Sequence, residues 1–211
     1  MRLRTALYGV LLFLQSALVV TGGAVRLTGS GLGCPTWPEC TPGSYTPVPH
    51  QAEGQLHAWI EFGNRLLTFA LLFSALSVIA HVLLTRRKDL RLLAAGQLVG
   101  ILGQGVLGGI TVLTDLHPLP VAGHLLLSII LIAGATSLYS RRHSPNQKSA
   151  APTQTISILS QLHIVTAFVV IVLGTLVTGS GPHAGDEKAR RFGFDIQTVA
   201  WIHADAVIFL M

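Results

Sequence analysis

Long apolar runs separated by short polar ones set the pattern of this chain. Six runs approach the ~20 residues that a helix needs to cross a hydrocarbon core: Leu7–Val25, His57–Leu84, Leu92–Leu113, Val121–Tyr139, Ile156–Thr178 and a last one from Thr198 to Met211. Lipid offers the backbone no hydrogen-bond partner, so each span is expected to be a helix. The first run is long for a cleaved leader and has no small-x-small site followed by a polar start, so it reads as a retained span. The last, at about 14 residues, is short for a crossing.

The loops alternate in charge. Arg2 and Arg4 precede the first span, Arg86, Arg87, Lys88 and Arg91 join the second to the third, and Arg141, Arg142 and Lys148 join the fourth to the fifth. Basic loops face the cytoplasm. The N-terminus is therefore expected inside a cell membrane. The stretches 26–56, 114–120 and 179–197 are expected outside. In the last of these, Lys188, Arg190 and Arg191 are offset by Asp186, Glu187 and Asp195. The second, fourth and sixth helices would then all run inward from the outer face.

Composition agrees. Half of the 211 residues are hydrophobic and 11% are charged, against about 25% in soluble domains. The formal net charge of +5 sits in the loops, which argues against nucleic acid as a partner.

A repeat divides the chain. Thr28-Gly-Ser-Gly31 recurs as Thr178-Gly-Ser-Gly181, and Ala58-Trp-Ile60 recurs as Ala200-Trp-Ile202, in the same order. Together they predict two homologous units related by an axis along the membrane normal. The first four-helix half would span 1–139. A flexible Ser/Pro/Gln/Ala-rich cytoplasmic linker follows at 140–155, then the start of a second half at 156–211. The expected fold is all-α and membrane-spanning, a bundle of two tandem four-helix repeats. About six helices would be present of eight in an intact protein.

The polar residues inside these runs carry the chemistry. His57, Glu61 and Asn64 share one face of the second helix, and Arg65 follows. Such groups are costly in lipid unless they face a protein interior, an ion path or a cofactor; the plain alternative is a wet helix start at headgroup level. The third helix holds Gly96, Gly100, Gly103, Gly105, Gly108 and Gly109, small residues that let helices approach closely, with Gln97 and Gln104 available to bond across helices.

Of nine histidines, His50, His81 and His143 are expected to be solvent-accessible. His163 has no evident partner, and His117 and His183 fall in outer loops. His57, His124 and His203 sit at similar depth near the outer ends of helices running the same way. Zinc wants three or four protein ligands, whereas haem iron accepts two axial imidazoles, and a helical bundle supplies them. Arg26 and Arg65 are candidates for the propionates. Cys34 and Cys40, the only two cysteines, lie on the oxidising side, where a disulfide, structural or redox-active, is expected.

These pieces resemble the haem A synthase family, membrane enzymes that convert haem O to haem A. The resemblance rests on Thr21-Gly-Gly-Ala-Val-Arg-Leu-Thr-Gly-Ser-Gly-Leu-Gly-Cys34 with Trp37-Pro-x-Cys40, on Ile60-Glu61 with Arg65, and on Gly108-Gly-Ile-Thr-Val-Leu-Thr114 leading to His124. Val177-Thr-Gly-Ser-Gly-Pro-His-Ala-Gly-Asp186 and Ile202-His-Ala-Asp205 extend it. It implies an oxidoreductase with eight helices in two halves. The first half would hold the substrate haem O, with Glu61 catalytic and His124 a ligand. The second would hold a haem b through His203 and a mate beyond Met211. Many members carry Glu-x-x-His-Arg where this chain has Asn64; His57, two turns outward on the same face, is the candidate replacement. The implied chemistry turns a ring methyl into a formyl by successive hydroxylation and loss of water, and Glu61 suits a proton carrier. Implied partners are the lipid bilayer, haem O, the haem O synthase that supplies it, an electron donor and a second copy of the chain. A dihaem b-type quinol oxidoreductase subunit and a proton-coupled transporter are the rival readings.

Overall fold

The apolar runs fold as helices in the computed structural model, which describes residues 2–143, 152–182, 185–187 and 189–211. They are α1 (Arg2–Leu27), α2 (Gln55–Leu84), α3 (Arg91–Leu113), α4 (Pro118–Ser140), α5 (Gln154–Ser180) and α6 (Ile196–Leu210), with one 3-10 turn, Lys88–Leu90, before α3. Five are long and apolar enough to cross a membrane, and α6 is a shorter apolar helix. The chain is thus an all-α, multi-pass membrane protein. Residues 144–151, the middle of the expected linker and including Lys148, lie outside the described residues, as do His183 and Lys188.

Several helices begin earlier than their apolar runs because capping extends them. Pro118 opens α4, where its missing N–H costs nothing. The His117 side chain accepts from the Leu119 N–H at 3.3 Å, so His117 is a cap and not loop. Thr153 caps α5, so Gln154 and Thr155 belong to that helix and not to the linker. Asp195 caps α6 by accepting from the Thr198 N–H at 2.8 Å. That bond holds its carboxyl below the usual carboxylate range.

α1 and α3 each pack against both α2 and α4, which sets α2 and α4 at opposite corners of a four-helix bundle; α5 lies against α4, and α6 against α5. Close packing is concentrated at one end, toward the α2–α3 and α4–α5 connections. There Tyr8, Leu11, Leu71, Ala75, Val78, Val82, Leu90, Ala94, Ile101, Leu131, Ala135 and Leu138 form a single buried cluster. His81 belongs to this end: its Nδ1 lies 3.2 Å from the Tyr8 hydroxyl, and it is half-buried where the sequence suggested a wet residue. At mid-bundle Gln15 donates to Gln97 at 2.9 Å, and Gln97 donates to the Leu131 carbonyl at 2.9 Å. Gln97, 3% exposed, therefore ties α1, α3 and α4 together.

Candidate functional site at the Cys-loop end

The opposite end of the bundle is closed by the loop between α1 and α2. Gly29, at φ +66°, turns the chain off α1. Gly33 then runs so close to α2 that a Cβ there would strike the His57 carbonyl. Cys34 and Cys40, both fully buried, are joined by the expected disulfide.

Two residues of α2 hold that loop. Glu61, 6% exposed, accepts from the Cys34 N–H at 2.7 Å. It is also paired with Arg65, whose Nε donates at 3.0 Å and Nη2 at 2.5 Å. The same guanidinium donates to the carbonyls of Cys34 at 2.8 Å, Thr36 at 3.2 Å and Glu39 at 3.2 Å. An i, i+4 spacing sets the two on one face, and the guanidinium fork lets one side chain reach three loop carbonyls. The Trp37 indole lies against α3 where Gly109 has no side chain; a Cβ there would stand 2.7 Å from the ring. This clamp was only half legible in sequence: the Glu61–Arg65 spacing was visible, but the loop carbonyls carry no side-chain signal.

His57 points into the loop, its Nδ1 2.9 Å from the Ser30 hydroxyl, which in turn lies 2.7 Å from that of Thr28. Asn64 accepts from the Thr21 hydroxyl at 2.7 Å and so cross-links α1 and α2. His124, on α4, lies over α3: its Cε1 is 3.5 Å from where a Cβ on Gly108 would stand. Its Nδ1 is buried with no partner. His203, on α6, faces Gly174 of α5 in the same manner, and its Nδ1 is likewise buried and unpartnered. Arg26 donates to the Thr178 carbonyl at 3.2 Å, joining α1 to α5. The structure thus joins Glu61, Arg65 and both cysteines into one network. It leaves His57 and His124 on the two diagonal helices, and sets His203 apart in the α5–α6 pair.

The glycines here differ from one another. Gly100 is covered by Leu131 and Gly103 by Leu127, as close packing requires. Gly22, Gly23, Gly63 and Gly105 are half-buried, yet nothing lies within 4 Å of where a Cβ would start. Among the described residues, no three His, Cys, Asp or Glu side chains gather as a metal cluster. Two imidazoles on diagonal helices are what axial ligation of a macrocycle-bound metal asks for. The bare glycine surfaces leave room for a flat apolar group.

Similarity to known proteins gives the family. A family model for cytochrome oxidase assembly proteins, COX15-CtaA, matches residues 5–185. The chain is 30% identical over 207 residues to the heme A synthase of Methylobacterium sp. (strain 4-46), covering 80% of this chain and 56% of that protein. It is 31% identical over 181 residues to that of Shewanella oneidensis, covering 79% and 53%. To that of Methylobacterium radiotolerans it is 32% identical over 219 residues, covering 86% and 57%. The chain spans about half the length of these relatives, and 35% of the heme A synthase of Geobacillus thermodenitrificans. No solved structure matches it significantly.

Proposed function

We propose, from the premise that this chain belongs to the COX15-CtaA family of cytochrome oxidase assembly proteins, that it performs the haem A synthase reaction on haem O. The observation that carries the reading is the bundle's asymmetry. One end is filled with side chains. The other combines half-buried bare glycines with His57 and His124 on diagonal helices. The filled end also weighs against a dihaem quinol oxidoreductase, which needs a site at each face. A proton-coupled transporter has no use for the disulfide loop clamped to Glu61 and Arg65.

In this reading residues 1–139 bind haem O, and His124 and His57 are the residues that would hold its iron. Residues 156–211 belong to a second unit, in which His203 is a ligand of haem b. The positive-inside arrangement of the basic loops puts the N-terminus in the cytoplasm and the Cys loop outside. Conversion of the methyl to a formyl group proceeds by two hydroxylations, each replacing C–H with C–OH. The resulting geminal diol loses water. An electron donor and an oxidant are required. The bound haem supplies the redox chemistry. The chain's own residues orient it, exclude water and move protons. Ser30 fixes the His57 ring by holding Nδ1, so that Nε2 is the atom left for a ligand. Glu61, one turn deeper than His57, is the proton-handling group; Arg65 and the Cys34 N–H hold its carboxyl in place. Arg65 is also the propionate partner in this reading, although its donors already engage Glu61 and the loop.

Turnover of haem O by the Glu61→Gln variant tests the proton role. Loss of an acid–base group costs about 10²–10⁴-fold. Formation of haem A at the unaltered rate would reject it. A colourless His124→Ala preparation from haem-fed cells, beside a red parent with a low-spin Soret band, is the expected result for ligation.

A further inference from the structure

We propose that Gln104 is the positioning residue of His124: its Oε1 accepts the Nδ1–H of His124, directly or through one water, when Nε2 carries the haem iron. This rests on the haem-binding reading above. The orientation of the amide is dictated by its other contacts. Gln104 Nε2 lies 3.0 Å from the backbone carbonyl of His124 and 2.7 Å from the Ser128 hydroxyl. The Ser128 hydroxyl already donates to the same carbonyl at 3.0 Å, so it accepts from Gln104. A carbonyl oxygen only accepts, so the nitrogen of the amide must face it. Oε1 is then left buried with no partner, and so is His124 Nδ1. Two orphaned polar atoms at one helix contact are unusual, because each costs about 1–3 kcal/mol if left unsatisfied.

Their characters are complementary. A neutral imidazole that binds metal through Nε2 must carry its hydrogen on Nδ1, and such a ligand almost always donates it to a carboxylate, a carbonyl or water. Gln104 and Gly108 stand one turn apart on the α3 face that His124 overlies. Gly108 brings the imidazole down onto α3, and Gln104, one turn along the same face and already bonded to the His124 carbonyl, carries the unsatisfied acceptor. Ser30 does the corresponding work for His57 on the loop. The two proposed ligands thus have their outer nitrogens held by different elements.

The test uses the full chain in detergent, titrated with haemin, with the midpoint potential of the bound haem as readout. An acceptor on Nδ1–H gives the imidazole anionic character and favours the ferric state. Gln104→Met keeps the length and removes the acceptor. It should raise the midpoint potential and weaken haemin binding about 10–100-fold. Gln104→Glu, a stronger acceptor, should lower the potential. Gln97→Leu removes the other α3–α4 amide bond, to Leu131, and should leave the potential where it is. An unmoved potential in Gln104→Met overturns the proposal, as does an equal shift in Gln97→Leu. If Gln104→Met does not fold, Gln104→Glu decides alone, and absence of a downward shift overturns the proposal. A His124→Ala chain that keeps the parent's low-spin spectrum overturns the haem-ligand reading as well. Loss of that spectrum, with Gln104→Met unmoved, removes only the positioning role.

Discussion

At the linker end of the four-helix bundle, Tyr8, Leu11, Val78, Val82, Leu90 and Leu138 pack with essentially no exposed surface. At the Cys-loop end, Gly22, Gly23, Gly63 and Gly105 are half-buried with no atom within 4 Å of where a side chain would begin. The same four helices pass through both. Leu, Val and Ala interdigitate at one end, and dispersion contacts hold it together. Bare glycine surface cannot do this at the other. That end is held by a polar clamp, in which Glu61 and Arg65 tie α2 to the disulfide loop. An apolar core fills the linker end of the bundle, and the Cys-loop end leaves bare glycine surface in its place.

The sharpest way to break the contrast is to cut the clamp. Arg65→Ala removes the bonds to the Cys34, Thr36 and Glu39 carbonyls and leaves the buried Glu61 carboxylate unpaired. Losing one partner of a buried pair costs about 3–5 kcal/mol. Arg87, at the linker end, pairs with Asp89 at 2.7 Å and donates to the Arg141 carbonyl at 2.8 Å, but its carboxylate partner is exposed and not buried. Arg87→Ala should therefore cost less than Arg65→Ala, since an exposed pair contributes at most about 1 kcal/mol. Thermal unfolding of both variants in one detergent would check this, and equal midpoints would mean that the clamp does not carry the Cys-loop end. The haemin affinity of Arg65→Ala is a separate readout. An unchanged value would remove Arg65 as propionate partner while leaving it as clamp.

A smaller effect is expected within the packed region. Gly100 lies under Leu131, and a Cβ there would overlap the Leu131 side chain. Gly100→Ala should therefore destabilise by about 1–3 kcal/mol through overpacking. Haemin binding should be unaffected, since Gly100 lies one turn to the core side of Gln104. Loss of haemin binding without loss of stability would place the cleft deeper than the glycine pattern implies.

Much of this was legible in the chain, and the part that was not has a physical reason. Long apolar runs specify helices because lipid permits the backbone little else. The disulfide was legible because the only two cysteines share one loop. Helix starts were misjudged by two or three residues at Gln55, Pro118 and Gln154, where caps and turn geometry and not hydrophobicity set the boundary. The Gly-rich third helix predicted close packing. Packing holds at Gly100 and Gly103, but Gly105 faces open space, and a glycine reads the same in sequence whether a neighbour fills the room it leaves or not. The repeat placed Thr178-Gly-Ser-Gly181 in a loop like its counterpart, yet α5 stays helical through Ser180. Ser180 Oγ is buried without a partner, where Ser30 reaches His57. Aligning Ala58-Trp-Ile60 with Ala200-Trp-Ile202 puts Val199 opposite His57, so that position carries no imidazole in the second unit.

Gly105→Ala is the mildest change and the most discriminating one. Glycine inside a helix costs about 1 kcal/mol relative to alanine. A Cβ at Gly105 meets nothing within 4 Å. If that space is merely lipid-facing, the variant gains up to about 1 kcal/mol of stability and binds haemin like the parent. If it lines the cleft, stability rises by the same amount while haemin binding weakens, because the methyl group occupies the room a planar ligand needs. Thermal unfolding without haemin and a Soret titration with it separate the two. A gain in stability with haemin affinity unchanged would show that the bare glycine surface on α3 belongs to the outside of the bundle and not to the site between His57 and His124.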